Sequence, residues 1–248
     1  MNYYKILHKD ETHQKLHYTT GLNIDPLEFN PSGDCRPGGI YFSREDILAF
    51  IDYGPWIRKV TLPEDARVYK NPGKPRKWKA DRIILGEREE INLEVIKRLI
   101  DEGADPKVDD SYALRWAAEN GYLDIVKILL PLSDASARDN EALVIAARYG
   151  HLEIVKLLIP FSIPGSQNNE ALRIAAKYGH YEIVKSLLPF SNSKMDNGKA
   201  LQGAARYSHL EIVKLLLPVS EINNDITNYC RQYCENQEIL DLIISSKN

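Results

Sequence analysis

The chain has 248 residues, 44% apolar and 27% charged, with a formal net charge of -3. That is enough for two ordinary soluble domains, and too acidic for a general nucleic-acid binder, which is usually strongly basic. No run approaches the ~18 uninterrupted apolar residues of a membrane span, and the opening MNYYKILHKDETHQK lacks the apolar core and cleavage pattern of a secretory leader. Three cysteines, Cys35, Cys230 and Cys234, are too few for a disulfide scaffold and wrongly distributed for a four-ligand zinc site. The expectation is a soluble protein of a reducing, intracellular compartment, with no bound metal and no cofactor. Cys230 and Cys234, four apart, are read as small buried residues on one helix face.

Residues 1–88 are rich in proline and carry no internal repeat. Short strands are predicted at residues 3–7, 39–42, 57–62 and 67–69. A helix is expected over SREDILAFIDYG, capped by Ser43 with Asp46 at its third position and ending near Gly54. KADRIILGE clusters apolar residues without deciding between strand and helix. Gly38 and Gly39 read as a tight turn into the next strand. A small α+β domain of unassigned role accounts for this region. Its polar residues His8, His13, His17, Asp25, Glu28, Asp34 and Cys35 form the one concentration of potentially reactive groups. No phosphate loop, nucleophile elbow, zinc-protease helix or paired-cysteine motif accompanies them.

From residue 89 the pattern changes. INLEVIKRLIDEGADP, beginning at Ile91, has the apolar spacing of a single helix, and four segments then repeat at an interval of 29. Ala113, Ala142, Ala171 and Ala200 mark one position of the repeat, and Pro131, Pro160, Pro189 and Pro218 mark another. In the third copy, Ala171, Leu172, Ala175 and Ala176 paint one stripe on a short helix, and the small alanines admit a close neighbour. Gly179 permits the left-handed turn that ends it. Ile183, Val184, Leu187 and Leu188 stripe a second helix, which Pro189 stops. Burying each large aliphatic is worth about 1.5–3 kcal/mol, yet two ten-residue helices cannot alone offset their ordering entropy. Stacking is therefore obligatory, and both ends need caps. The full units fall near 110–138, 139–167, 168–196 and 197–225, flanked by a partial unit at 89–109 and a C-terminal cap at 226–248.

AARYGHLEIVKLL at Ala146 and LIDEGADP at Leu99 resemble ankyrin repeats. The resemblance covers roughly residues 89–248 and implies a mainly α chain: an ankyrin-like helix-turn-helix solenoid preceded by the small α+β domain. The sequence departs from that family in opening its units with EAL or KAL instead of a TPLH-type motif, in its shorter period, and in its trimmed hairpin fingers. Together with the N-terminal strings CRPGGIYF, YGPWIRKVTLP and KADRIIL, it is similar to the ankyrin-repeat proteins of giant, mimivirus-like DNA viruses. That implies a viral protein acting in the cytoplasm of an infected host cell and binding a host or viral protein, with no role for nucleic acid or membrane.

In such stacks the residues between the alanine pair and the turn approach the concave face. The resemblance thus assigns protein binding to Arg115, Glu119, Asn120, Arg148, Tyr149, Lys177, Tyr178, Arg206 and Tyr207. Tyr and Arg are also the side chains that most often anchor interfaces. The pairs Asp124 and Lys127, Glu153 and Lys156, Glu182 and Lys185, and Glu211 and Lys214 read as a solvated outer face, each worth about 0.2–0.5 kcal/mol. His151, His180 and His209, one per unit, cannot converge on a metal and are expected to brace their turns. The expected function is non-enzymatic protein binding. Two alternatives stand beside it. The N-terminal domain resembles, over a histidine and a GIYF-like strand, an ADP-ribosyltransferase-type enzyme targeted by the repeats. The second alternative is a ubiquitin-ligase substrate adaptor, although no F-box-like segment follows the repeats.

Overall fold

The computed structural model describes residues 2–13, 16–32, 36–190 and 194–246. Asp34, Cys35, Lys247 and Asn248 lie outside the described residues. The chain divides into two compact units, residues 1–116 with 131–133 and residues 117–130 with 134–248.

The first unit is built on antiparallel strands. β1 (Tyr3–Leu7) pairs along its length with β6 (Trp56–Thr61), placing Tyr3 opposite Val60 and Leu7 opposite Trp56. The sheet continues through β9 (Arg82–Leu85) to β4 (Gly21–Ile24), and β10 (Glu89–Glu90) also pairs with β6. β2 (Thr12–His13) and β3 (Leu16–His17) form a small hairpin. A three-stranded sheet joins β5 (Ile40–Phe42), β8 (Trp78–Ala80) and β7 (Val68–Lys70). Leu7, Tyr18, Ile40, Phe42, Val60, Trp78, Ile83 and Leu85 form the core between them. Val60 faces inward while Lys59 and Thr61 face solvent, the period-two pattern of a half-buried strand.

The expected strands are present within a residue or so of their limits, and KADRIIL resolves into β8 and β9. The expected helix is instead a 3-10 segment, Ile47–Tyr53. Its capping groups are spent elsewhere. The Ser43 hydroxyl donates to the Arg76 carbonyl at 2.8 Å, and the Asp46 carboxylate accepts from the Arg76 N–H and pairs with its guanidinium at 2.8 Å. No side-chain cap is left to begin an α-turn.

α1 (Leu93–Asp101) belongs to this first unit, so the unit extends beyond the boundary at residue 88 that composition suggested. Asn92 caps the helix by accepting from the N–H groups of Glu94 and Val95. Glu102, just past its end, accepts hydrogen bonds from Asn2 and from the Tyr4 hydroxyl on β1. Glu89 pairs with Arg98 at 2.6 Å, and Asp105 N–H donates to the Glu45 carbonyl. These polar ties cross from strand to helix at several points, which a 29-residue pattern cannot reveal.

α2 (Val108–Glu119) runs from the first unit into the second. The second unit continues through paired helices: α3 (Leu123–Leu129), α4 (Ala137–Tyr149) and α5 (Leu152–Leu158), then α6 (Ser166–Tyr178) and α7 (Tyr181–Leu187). α8 (Lys194–Arg206) and α9 (Leu210–Leu216) complete the last full copy, and α10 (Asn224–Tyr233) and α11 (Gln237–Ser245) follow. The longer helices stack α4 on α6 on α8 on α10, and the shorter ones stack α3 on α5 on α7 on α9. The paired alanines are buried throughout, as are Ile154, Val155 and Leu158 and their equivalents in the next two copies. Each repeat proline sits inside a 3-10 turn, as Pro189 does in Leu188–Phe190, so the chain tightens by one turn before it breaks. Cys230 is buried in α10, whereas Cys234 lies just past its end, so the two do not share a continuous helical face. Burial, with a smaller contribution from Cys234, pushes the Cys230 thiol up to about 11.

Two of the longer helices, α4 and α2, open with a feature that periodicity does not suggest. Arg138, Asp139 and Asn140 all have left-handed backbone, with φ of 48°, 59° and 65°, and so do Asp109, Asp110 and Ser111. Asp and Asn tolerate this region best among residues with a side chain. Asn140 is buried there, and its amide brackets the Ile163 backbone, accepting from the N–H at 2.8 Å and donating to the C=O at 3.3 Å.

Candidate protein-binding face

In the second unit the end of each longer helix and the turn after it form the candidate surface. Gly150, with φ of 79°, ends α4 in the left-handed conformation, and its N–H returns to the Ala146 carbonyl. The His180 ring, from the next copy, packs against it. A Cβ added at Gly150 would lie 2.8 Å from the His180 ring. His180 Nε2 donates to the Arg148 carbonyl at 2.9 Å, His151 to the Glu119 carbonyl at 3.0 Å, and His209 to the Lys177 carbonyl at 3.0 Å. The histidines therefore brace the turn of the preceding copy as well as starting their own helix. Gly121 and Gly179 meet His151 and His209 in the same way. At the fourth turn Ser208 adopts φ of 60°, and no histidine follows residue 209 to contest the space of its Cβ.

Gly150→Ala should cost about 1–3 kcal/mol, combining left-handed strain with displacement of the His180 ring. In a His180→Ala background the same change should cost only the strain, about 1 kcal/mol. Urea unfolding of the four proteins measures the coupling; equal costs in both backgrounds would contradict the Gly and His contact.

These braced turns hold out a row of tyrosines. Tyr149, Tyr178 and Tyr207 are 51%, 48% and 46% exposed, too open to be core residues. Lys177 Nζ lies 5.3 Å from the Tyr178 ring centroid and 5.8 Å from that of Tyr207. The Arg206 guanidinium lies 5.8 Å from Tyr207 and 5.1 Å from Tyr233, and it donates to the Tyr229 hydroxyl at 3.4 Å. That hydroxyl holds Arg206 above the usual guanidinium range, assisted by the negative potential of the surrounding tyrosines. Cation and π-face contacts of this kind contribute about 0.5–1 kcal/mol at exposed sites, enough to orient a side chain.

Toward α2 the row changes character. Arg148 and Tyr149 border a groove of about 390 Å³ that is also lined by Glu119, Asp139, Glu141 and Glu170. The Tyr149 hydroxyl donates to Glu119 at 3.3 Å, and Arg138 lies 3.7 Å from Glu141. This end is mixed in sign, and the other is basic and aromatic. Glu119 and Asn120 are exposed at the close of α2.

Arg115 does not belong to the exposed row. It is 4% exposed, its guanidinium donates to the carbonyls of Asp109 and Asp110, and it lies 5.2 Å from the Tyr112 ring centroid. Its task is to hold the left-handed opening of α2, a turn invisible in the repeat pattern. Conversely, Glu141, Glu170, Tyr229 and Tyr233 were missed. Glu141 and Glu170 lie at the openings of their units, outside the stretch between the alanine pair and the turn, and the two cap tyrosines have no counterpart in the repeat. On the outer helices, Asp124 to Lys127, Glu153 to Lys156 and Glu211 to Lys214 close at 2.8, 2.8 and 3.0 Å, all exposed pairs.

Of the candidate reactive groups of the first unit, His8 and His13 meet at Tyr53. His13 bonds to the Tyr53 hydroxyl and His8 packs on the Tyr53 ring, while His17 and Glu28 are exposed. The Asp25 carboxylate accepts from the N–H groups of Leu27 and Gly39. Among the described residues no three His, Cys, Asp or Glu side chains could hold a metal ion, and no helix is long and apolar enough to cross a membrane.

Stacked helix pairs, three of their turns braced by a histidine of the next copy, define a helical-repeat scaffold of the protein-binding class. The family model described as ankyrin repeats (3 copies) matches residues 88–168 and 143–228, and the chain belongs to the ankyrin-repeat family. Its relatives include proteins of Acanthamoeba polyphaga mimivirus. It is 43% identical over 118 residues to ankyrin repeat protein R229, covering 44% of this chain and 38% of that one. It is 32% identical over 134 residues to ankyrin repeat protein R868, covering 52% and 66%. It is 36% identical over 133 residues to uncharacterized protein R869, covering 52% and 96%. The matches thus span 38% of R229 and 66% of R868.

Proposed function

We propose that this protein is a non-enzymatic binding module which captures a host or viral protein through the inner row formed by Arg148, Tyr149, Lys177, Tyr178, Arg206 and Tyr207, in the cytoplasm of an infected cell. The observation that carries the proposal is the half-exposed tyrosine at the same position of three successive copies. A tyrosine there contributes nothing to the core, and its rigid amphipathic ring suits an interface hot spot. The neighbouring Lys177 and Arg206 are pre-ordered on these rings, which lowers the entropy lost on binding. The mimiviral relatives support a viral setting.

A photo-crosslinking residue at Tyr178 or Tyr207 should join the full-length chain to the same protein in infected amoebal cells. The same residue at Lys156, on the outer helix, should not. Crosslinking from position 156 alone would overturn the assignment of the face.

A further inference from the structure

The strand-rich unit contains a cavity of about 260 Å³, and nothing in the proposed function uses it. Tyr4, Tyr41, Phe42, Phe50 and Tyr53 supply its aromatic walls, with Ile6 and Ile47 beside them. Tyrosines apart, the ionisable side chains lining it are all bases: Lys5, His13 and Lys77. Among the described residues no carboxylate lines it.

Lys5 is the unusual member. It lies in β1 between Tyr4 and Ile6 and is 5% exposed. Its amine donates to the Tyr41 carbonyl at 2.9 Å and lies 4.7 Å from the Tyr18 ring centroid. Among the described residues no carboxylate pairs with it. Arg58, opposite Lys5 in the strand ladder, is already tied to Glu11 at 2.7 Å. A buried ammonium ordinarily has an ionic partner, because desolvating a lone charge is costly. Burial brings Lys5 down to about 7. Burial also lowers His13, and the charges of Lys5 and His8 add to that effect against the opposing pull of Asp25. The wall thus holds Lys5, a buried basic group for which no described carboxylate supplies the complementary charge, in a chamber whose remaining surface is largely carbon.

We propose that this cavity binds a small organic carboxylate with an aromatic or aliphatic body, its head group seated against the Lys5 amine and its body among the aromatic side chains. Pockets of this kind take orientation from a few polar groups and contact area from apolar walls. A bound carboxylate supplies Lys5 with a counter-charge that no described carboxylate provides. A cationic ligand is disfavoured by the same three bases, which separates this chamber from an aromatic cage for ammonium groups. The proposal is independent of the repeat surface and stands or falls without it.

The test compares 4-phenylbutyrate with its neutral isostere 4-phenylbutanamide, titrated into the full chain by calorimetry and followed by saturation-transfer NMR. The acid should bind at least tenfold more tightly than the amide. Lys5→Met should abolish that preference, and Phe50→Trp, which fills the chamber, should weaken both ligands. The acid-to-amide ratio on the unaltered protein decides the matter even if Lys5→Met fails to fold. Equal affinity for the two probes, or binding of neither at millimolar concentration, would overturn the proposal.

Discussion

Leu172→Asp should destabilise the second unit by about 3–5 kcal/mol, the range for a buried charge without a partner. Leu172 is 2% exposed on α6, which packs between α4 and α8. A carboxylate there is buried between two neighbouring helices of the stack. In a stack each copy is stabilised chiefly by its neighbours, so damage at an interior copy removes two interfaces together. The cooperative urea transition followed by circular dichroism should move to much lower denaturant and broaden as the two flanks uncouple. Leu172→Ala, which only leaves a void, should cost less, about 2–4 kcal/mol. A loss below about 1 kcal/mol for the aspartate would mean that α6 does not occupy the interior of the stack.

Arg58→Met should have a comparable effect on the strand-rich unit, about 3–5 kcal/mol, for a different reason. Arg58 donates to Glu11 at 2.7 Å, to the Thr20 hydroxyl at 2.9 Å and to the Gly86 carbonyl at 2.7 Å, tying three loops to the middle of β6. Both charged side chains are buried. Burial pushes the Glu11 carboxyl up, but the Arg58 hydrogen bond and charge, followed by those of Arg88, outweigh it and hold the group below its usual range. A carboxyl depressed in the folded state adds stability above its unfolded pKa, near 4.3, and loses it as pH falls through the lower folded value. The parent protein should therefore weaken in acid through this pair, and Arg58→Met should be damaged most at neutral pH, where Glu11 remains charged beside only Arg88. Replacing both partners by methionine should recover much of the loss, because no buried charge is then orphaned. Similar stabilities for the single and double variants at pH 7 would show that the pair is not desolvated.

The helical half was legible because its determinants are local and repeated. Paired alanines, a turn glycine and a proline at fixed spacing mark helix ends and faces within each copy, and the copies confirm one another. What escaped were contacts whose partners are distant in sequence. The histidines were rightly placed at the turns, yet the carbonyl each one reaches lies 32 residues earlier, in the preceding copy. The left-handed openings were hidden because Asp and Asn also read as ordinary helix starters. Arg115 was assigned to the surface by its place in the repeat, but its guanidinium turns back to the carbonyls of that opening. In the first unit, Ser43 and Asp46 had the spacing of a cap, and Arg76, some thirty residues away, claims both. The sign of the inner row is incomplete in the sequence for a related reason, since Glu141 and Glu170 recur in register but lie outside the stretch between the alanine pair and the turn.

The claim that the inner row forms the binding face is tested most directly by two charge-matched variants in the same capture experiment. One reverses Arg148, Lys177 and Arg206 to glutamate; the other reverses Lys127, Lys156 and Lys214 on the outer helices. Both change net charge by the same amount, which controls for nonspecific electrostatics. With folding verified by circular dichroism, quantitative mass spectrometry of affinity captures from infected amoebae should show the principal bound protein lost from the inner variant and retained by the outer one. Retention by the inner variant, or equal loss from both, would contradict a binding site on this face.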